Sequence, residues 1–232
     1  MTQAVLLAAG LGTRLGDMTK SIPKCLVDVG GKPMLQHWLD KLSLVGCSEI
    51  FINTHHLAKQ VEDFVGGNPA KNSIRLVHEE ELLGTAGTLA SIRHLLIDDE
   101  VFVAHADNFF LDSLDGMMRT HRSRDHRAVM TMGLFESPTP STCGIVEINP
   151  QGVVIGFEEK PTTPRSNLAN AAVYLMSQIA LDEVGSSRDF STEVVPRLLG
   201  RIQGHRFSAS YLDMGTPESL EAARELARRN SV

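Results

Sequence analysis

The sequence predicts an α/β fold, a single domain over residues 1–232 built on a doubly wound, mixed sheet. Three observations lead there. Short apolar runs at residues 5–7, 50–52 and 101–104, and residues 74–77 with Arg75 as their one charge, read as strands. Segments with apolar residues at helical spacing lie between them, the pattern of parallel β-α-β units. Further on, residues 144–148 and 153–157 flank the turn Asn149-Pro150-Gln151-Gly152 and read as a hairpin, which makes the sheet mixed.

The first strand runs straight into Leu7, Ala8, Ala9, Gly10, Gly12 and Thr13. A loop this poor in side chains lets a ligand approach the backbone and leaves amide N–H groups free to point at it. Residues 28–33 form a turn, with Pro33 suited to a helix start. The helix that follows turns Met34, Leu35, Trp38, Leu39, Leu42 and Leu44 inward. After the second strand, a helix over 57–65 buries Leu57, Val61 and Phe64 and ends at Gly66-Gly67-Asn68-Pro69. After the third strand, residues 79–88 open a helix that runs to 97 through Leu89, Ile92, Leu95 and Leu96. The fourth strand ends in His105-Ala106-Asp107-Asn108.

A helix over 111–124 and a strand over 128–132 precede the hairpin. Then come Glu158-Glu159-Lys160-Pro161, a strand over 171–176 and a short helix over 178–184. Pro196 starts or kinks a helix through 199. The last strand is expected over 207–212, ending in Asp213. A C-terminal helix over 217–229 places Leu220, Ala223 and Leu226 on one face. No linker, internal repeat or hexapeptide array stands out, so no fused β-helix is expected.

Composition narrows the partners. A hydrophobic content of 42% supports a real core, and a net charge of −6 with no long basic run argues against nucleic-acid binding. An acidic protein that binds an anion needs local cations, and Arg14, Lys20 and Lys24 supply them behind the glycine-rich loop. Cys25, Cys47 and Cys143 are odd in number and scattered, without C-x-x-C spacing or a disulfide pattern. The N-terminus lacks a signal-peptide charge pattern, and its apolar run is too short to cross a membrane. A cytoplasmic protein is expected, with no membrane partner.

Glycines plus clustered cations after a first strand suit a polyphosphate; a plain turn with solvated basic residues is the alternative. The Walker pattern is absent, since no Gly-Lys-[Ser/Thr] follows the loop. The dinucleotide fingerprint nearly fits Gly10 and Gly12, but its third glycine falls one place late, at Gly16. The second strand ends in Asn53-Thr54-His55 and not in the acidic residue that would read a ribose, which disfavours a dehydrogenase. Asp107 and Asp213 each end a strand. Such oxygen ligands suit Mg²⁺, which takes one or two carboxylates plus phosphate oxygens; turn or capping aspartates are the alternative. Lys160 can pin a phosphate as a point charge and Glu159 can accept sugar hydroxyls, or the two form an exposed ion pair of little consequence. The nine histidines, His55, His56 and His105 among them, are read as structural or exposed.

Residues 7–15, Leu-Ala-Ala-Gly-Leu-Gly-Thr-Arg-Leu, with Pro23-Lys24 downstream, resemble the signature of the sugar-phosphate nucleotidyltransferases. The resemblance runs from Val5 to about Leu220 and implies a Rossmann-like fold. It implies a nucleotide site at Leu7, Ala8, Ala9, Gly10, Gly12, Thr13, Arg14 and Lys24, joined by Glu81, Gly84, Thr85 and Gly87 of the base-facing segment. It implies a sugar-phosphate site at Asn108, Gly144, Glu159, Lys160, Asn170 and Ala171. Mg²⁺ would sit on Asp107 and Asp213, and Arg14, Lys24 and Lys160 would carry catalysis. Ala106 departs from the family's usual glycine. The expected reaction joins an NTP to a sugar 1-phosphate, giving an NDP-sugar and pyrophosphate. The look is closest to guanylyl transfer onto mannose or heptose 1-phosphate. Uridylyl transfer to an N-acetylated sugar 1-phosphate, cytidylyl transfer to phosphocholine and a non-catalytic nucleotide-sugar-binding regulator are the alternatives.

Overall fold

The computed structural model describes residues 1–208 and 211–230. Strand β1 (Thr2–Leu7) leads through the glycine-rich loop, a 3-10 turn (Thr13–Leu15), helix α1 (Met18–Ser21) and a second 3-10 turn (Lys24–Leu26). A small hairpin, β2 (Asp28–Val29) and β3 (Lys32–Pro33), delivers the chain to α2 (Met34–Leu44). Then come β4 (Cys47–Thr54), α3 (Ala58–Gly66), β5 (Ile74–His78), α4 (Thr85–Ile92) and β6 (Glu100–His105). The later part holds β7 (Asn108–Phe110), α5 (Asp115–Arg122), β8 (Met130–Glu136), β9 (Gly144–Ile148), β10 (Val154–Glu159), β11 (Leu168–Ser177) and α6 (Gln178–Asp182). A π-helical turn (Phe190–Val194) and a 3-10 turn (Val195–Leu198) precede β12 (Ile202–Arg206), β13 (Tyr211–Asp213) and α7 (Pro217–Asn230).

The main sheet runs β10-β9-β11-β6-β1-β4-β5, with β8 on β11 and β12 on β8. Strands β6, β1, β4 and β5 are parallel, and β11 crosses antiparallel beside β6. The sheet is mixed, as the sequence predicts. Alternation along β1 sends Ala4 and Leu6 to one face and Val5 to the other. The first face carries α2, α3, α5 and α7; the second carries α4, α6 and the π-helical turn. Both faces are covered, which is why β1 reads as a continuous apolar run.

Several boundaries differ from the sequence reading. The helix expected to reach 97 ends at Ile92 and tightens into a 3-10 turn (Arg93–Leu95). There the Gln3 side chain takes the N–H groups of Ile97 and Asp98. The helix expected from 111 starts at Asp115, because residues 108–110 form β7. Leu44, expected inward, is 81% exposed: α2 ends there, and Val45 packs on the core instead. The expected strand over 207–212 is two strands, β12 before it and β13 at its end, and residues 209–210 lie outside the described residues.

Candidate active site

Strand ends create the site. Leaving β1, Gly12 adopts φ 65°, and a Cβ there would stand 2.8 Å from Thr19 Cγ2 and 3.2 Å from Lys24 Cβ. Only glycine lets the loop lie this close to Lys24. The Lys24 side chain is buried, and its ammonium donates directly to Asp107 Oδ2 and lies 3.6 Å from Asp213 Oδ1. Arg14 Nη2 lies 3.8 Å from Asp213 Oδ2. Its guanidinium rests over Gly215, where a Cβ would come within 2.7 Å. Lys20 turns away: it is exposed and pairs with Asp17 at 2.7 Å, so the expected three-cation cradle has two members.

The two aspartates are far apart in sequence and meet through a two-stranded sheet. Strand β13 pairs antiparallel with β7, setting Asp213 opposite Asn108, and Met214 N–H donates to the Asp107 carbonyl at 3.1 Å. Trp38 Nε1 donates to the Asn108 carbonyl at 3.1 Å and fixes this sheet to α2. Burial alone would push the Asp107 carboxyl up, but the Lys24 ammonium and His105 hold it below the usual carboxylate range. Asp213 is pushed up, by burial first and then by the Asp107 charge, against the pull of Lys24 and Arg14. Among the described residues no group of three or more His, Cys, Asp or Glu is placed to hold a metal. Two carboxylate donors beside phosphate oxygens are what Mg²⁺ takes.

Two clefts open on either side of this cluster and share His105 and Asp107. The first, of about 220 Å³, is lined by the backbone of Leu7, Ala8, Ala9 and Gly10, by Lys24, and by Leu82, Gly84 and Thr85. Its floor is Asn53, Glu79 and Thr88. The Ala8 and Ala9 amides are not free for a ligand, as the sequence suggested. Both donate to Asn53 Oδ1, at 2.6 and 3.2 Å. The N–H groups of Ala86 and Gly87 likewise go to the Arg188 carbonyl, at 3.0 and 3.4 Å. Gly84 holds φ 83° with its α-carbon against that carbonyl. Glu81 is exposed and, with Gly87, borders a separate groove beside Arg188. Thr13 lines neither cleft.

The second cleft, of about 240 Å³, brings together Arg14, Asn108, Gly144, Glu159, Lys160 and Asn170. A Cβ on Gly144 would stand 2.5 Å from Phe157 and 2.8 Å from Glu159 Oε2, so the glycine keeps that carboxylate at the cleft wall. Lys160 follows β10 with φ 48° and an exposed side chain, 3.5 Å from Glu159. Left-handed backbone at a non-glycine residue is strained and clusters at functional sites. Asn170 uses both ends of its amide internally, accepting from Ala172 N–H at 2.9 Å and donating to Tyr174 Oη at 2.7 Å. This bends β11 where its pairing with β8 shifts register. Ala171 is fully buried, and its carbonyl accepts from Asn108 Nδ2 and Tyr211 Oη; Ala172, at φ 47°, is the residue that lines the cleft.

Residues 3–230 match the family described as Nucleotidyl transferase. The chain belongs to the nucleotidyl transferase family. A mannose-1-phosphate guanylyltransferase of Mycobacterium tuberculosis is 32% identical over 224 residues, 94% of this chain and 62% of that protein. The mannose-1-phosphate guanylyltransferase catalytic subunit beta of Xenopus tropicalis is 30% identical, again over 94% of this chain and 62% of its own length. This nucleotidyl transferase chain therefore spans less than two thirds of the curated relatives it matches. A Bacillus anthracis protein described as a glucose-1-phosphate thymidylyltransferase, solved with sucrose, superposes with a TM-score of 0.87 at 24% identity, covering 100% of this chain and 97% of that one. HddC of Yersinia pseudotuberculosis, solved with GMP-PN, gives 0.80 at 23%, covering 97% and 99%. At these identities the likeness shows the shared fold.

The sequence reading missed Asn53 and Thr88 as parts of the site, the side chain of Glu79, which it counted only as the start of a segment whose backbone meets the base, and His105 as a residue shared by both clefts. Asn53 carried a usable signal, a polar residue directly after the apolar run Ile50-Phe51-Ile52 and buried with it. No helix among the described residues is long and apolar enough to cross a membrane.

Proposed function

We propose that this nucleotidyl transferase moves a guanylyl group from GTP to a sugar 1-phosphate, mannose 1-phosphate first among candidates, and releases pyrophosphate. The observation that carries the reading is the pair of clefts meeting at Asp107, with Lys24 at the junction and Lys160 on the second cleft alone. Two anionic substrates can then lie end to end. The guanylyltransferase relatives support the choice of base and sugar.

In this reading the nucleotide takes the first cleft, with its phosphates toward Arg14 and Lys24, and the sugar 1-phosphate takes the second. A phosphate oxygen of the sugar 1-phosphate attacks the α-phosphorus, the bond from that phosphorus to the bridging oxygen breaks, and pyrophosphate leaves with the electron pair. The attacking oxygen is ionised at pH 7, so no protein base is needed. Positioning and charge neutralisation set the rate. Lys160 holds the attacking phosphate in line, Glu159 accepts sugar hydroxyls, and Lys24 and Arg14 offset charge on the triphosphate and leaving group. Asp107 and Asp213 would hold Mg²⁺, whose chemistry is charge neutralisation at phosphate oxygens. Three unpaired thiols suit a reducing compartment, and we assign the reaction to the cytoplasm.

The test is pyrophosphate release with GTP, UTP, CTP and dTTP, each against a panel of sugar 1-phosphates, with and without excess EDTA. The reading expects the highest kcat/KM for GTP with a hexose 1-phosphate and loss of turnover on chelation. Preference for another triphosphate would overturn the guanylyl assignment, and full turnover in EDTA would remove the metal.

A further inference from the structure

The floor of the first cleft contains a buried carboxylate held by neutral donors. Glu79 is 4% exposed. Its Oε1 accepts from Asn53 Nδ2 at 2.8 Å and from Thr88 Oγ1 at 2.6 Å, and its Oε2 accepts from Leu83 N–H at 3.2 Å. Asn53, also 4% exposed, passes the connection on: its Oδ1 accepts the Ala8 and Ala9 amides. One carboxylate thus ties together the end of β4, the first turn of α4, the loop before α4 and the loop after β1.

Burying a charge is costly unless its oxygens are hydrogen-bonded, and apolar residues would fill a floor more cheaply. A charge also polarises the amide beside it, strengthening the bonds at the amide's far end. The Glu79 carboxylate therefore tightens the hold of Asn53 Oδ1 on Ala8 and Ala9. Those two residues lead directly to Gly12, Arg14 and the cations. At its other end the network holds Leu83, between Leu82 and Gly84 on the cleft wall.

We propose that Asn53, Glu79 and Thr88 are positioning residues that keep the loop after β1 and the loop before α4 at a fixed separation, so that the phosphate and base ends of one nucleotide bind in register. The proposal rests on the reading that the first cleft takes the nucleotide. It places none of the three in contact with the reacting atoms.

The experiment is calorimetric titration of GTP with Mg²⁺, without sugar phosphate, on the wild type, Asn53→Asp, Glu79→Gln and the double variant, with thermal melts for each. Asn53→Asp sets two carboxylates against each other. Glu79→Gln sets an amide NH₂ against either Leu83 N–H or the Asn53 amide. The double variant restores the contact with reversed polarity: the new carboxylate accepts from Ala8, Ala9 and the new amide. Each single change is expected to weaken GTP binding about 10- to 100-fold, the scale of a hydrogen bond to a charged group. The double variant should recover most of that loss. The KM for the sugar 1-phosphate at saturating GTP should stay within about twofold, as for an independent site. Thr88→Val, which removes one donor and little volume, should show a smaller shift in the same direction.

If folded single variants bind GTP like the wild type, or the folded double variant binds as weakly as the worse single, the positioning role is wrong. Equal losses for both substrates would also overturn it, since a general structural role predicts that. A wild type that binds GTP but releases no pyrophosphate with any sugar 1-phosphate would sink the functional reading, while the titration still judges the network.

Discussion

The two clefts are built by opposite means. The first lies beyond the carboxyl ends of the parallel strands β1, β4 and β6, where ligands of open α/β sheets bind. Its walls are backbone and small side chains, its floor is a closed hydrogen-bond network, and its lysine is buried. The second is assembled from antiparallel strands, with left-handed backbone at Lys160 and Ala172, and its lysine is exposed. Under the proposed function, the half closed by hydrogen bonds takes the nucleotide and the half of strained strand ends takes the sugar 1-phosphate. The difference teaches how each cleft keeps its shape: the first through a buried side-chain network that ties its loops together, the second through a few residues on bent strands.

The largest expected effect falls where the halves join. Asp107→Asn keeps the shape but leaves Lys24 only the more distant Asp213 carboxylate, at 3.6 Å, and removes one charge of the proposed metal pair. Turnover should fall by ~10²–10³ or more, the scale of a preorganised electrostatic contact. Initial rates at saturating substrates would show it, and a rate within a few-fold of wild type would break the claim that the junction is shared.

Gly144→Ala sharpens the contrast from the second cleft. The added methyl meets Phe157 and Glu159. Overpacking of this kind costs ~1–3 kcal/mol, seen as a lower melting temperature. Displacement of Glu159 should raise the KM for the sugar 1-phosphate while GTP affinity stays put. Equal changes in both would mean that the halves are one unit.

These contrasts also explain what the sequence could reveal. The loop side of the first cleft was legible because its parts are contiguous, an apolar strand, small residues and cations within residues 5–24, whereas its floor comes from residues 53, 79 and 88. Asp107 and Asp213 were visible as strand ends, but their meeting depends on β7 pairing with β13, and three-residue strands carry too little periodicity to read. Ala8 and Ala9 were misread as free donors because their acceptor, Asn53, is 45 and 44 positions away. Ala171 was taken for its neighbour Ala172, since the bend in β11 that turns one inward and the other to the cleft arises from tertiary pairing. Lys20 looked like Lys24 in sequence; burial separates them.

Lys20 gives the smallest expected effect. Its exposed pair with Asp17 contributes little. Lys20→Ala should leave stability within about 0.5 kcal/mol, with both KM values unchanged. A marked loss of GTP affinity would return Lys20 to the phosphate site.

The measurement that bears most directly on the two-cleft account is a kinetic comparison of Lys24→Ala and Lys160→Ala, with both substrates varied and GTP titrated directly with Mg²⁺. The account predicts that Lys24→Ala weakens the nucleotide and lowers turnover by ~10²–10³. Lys160→Ala should weaken the sugar 1-phosphate and leave GTP affinity nearly unchanged, with arginine rescuing each only in part because its planar fork replaces a point charge. Wild-type turnover and sugar-phosphate affinity in Lys160→Ala, or the same loss for both substrates in both variants, would contradict it.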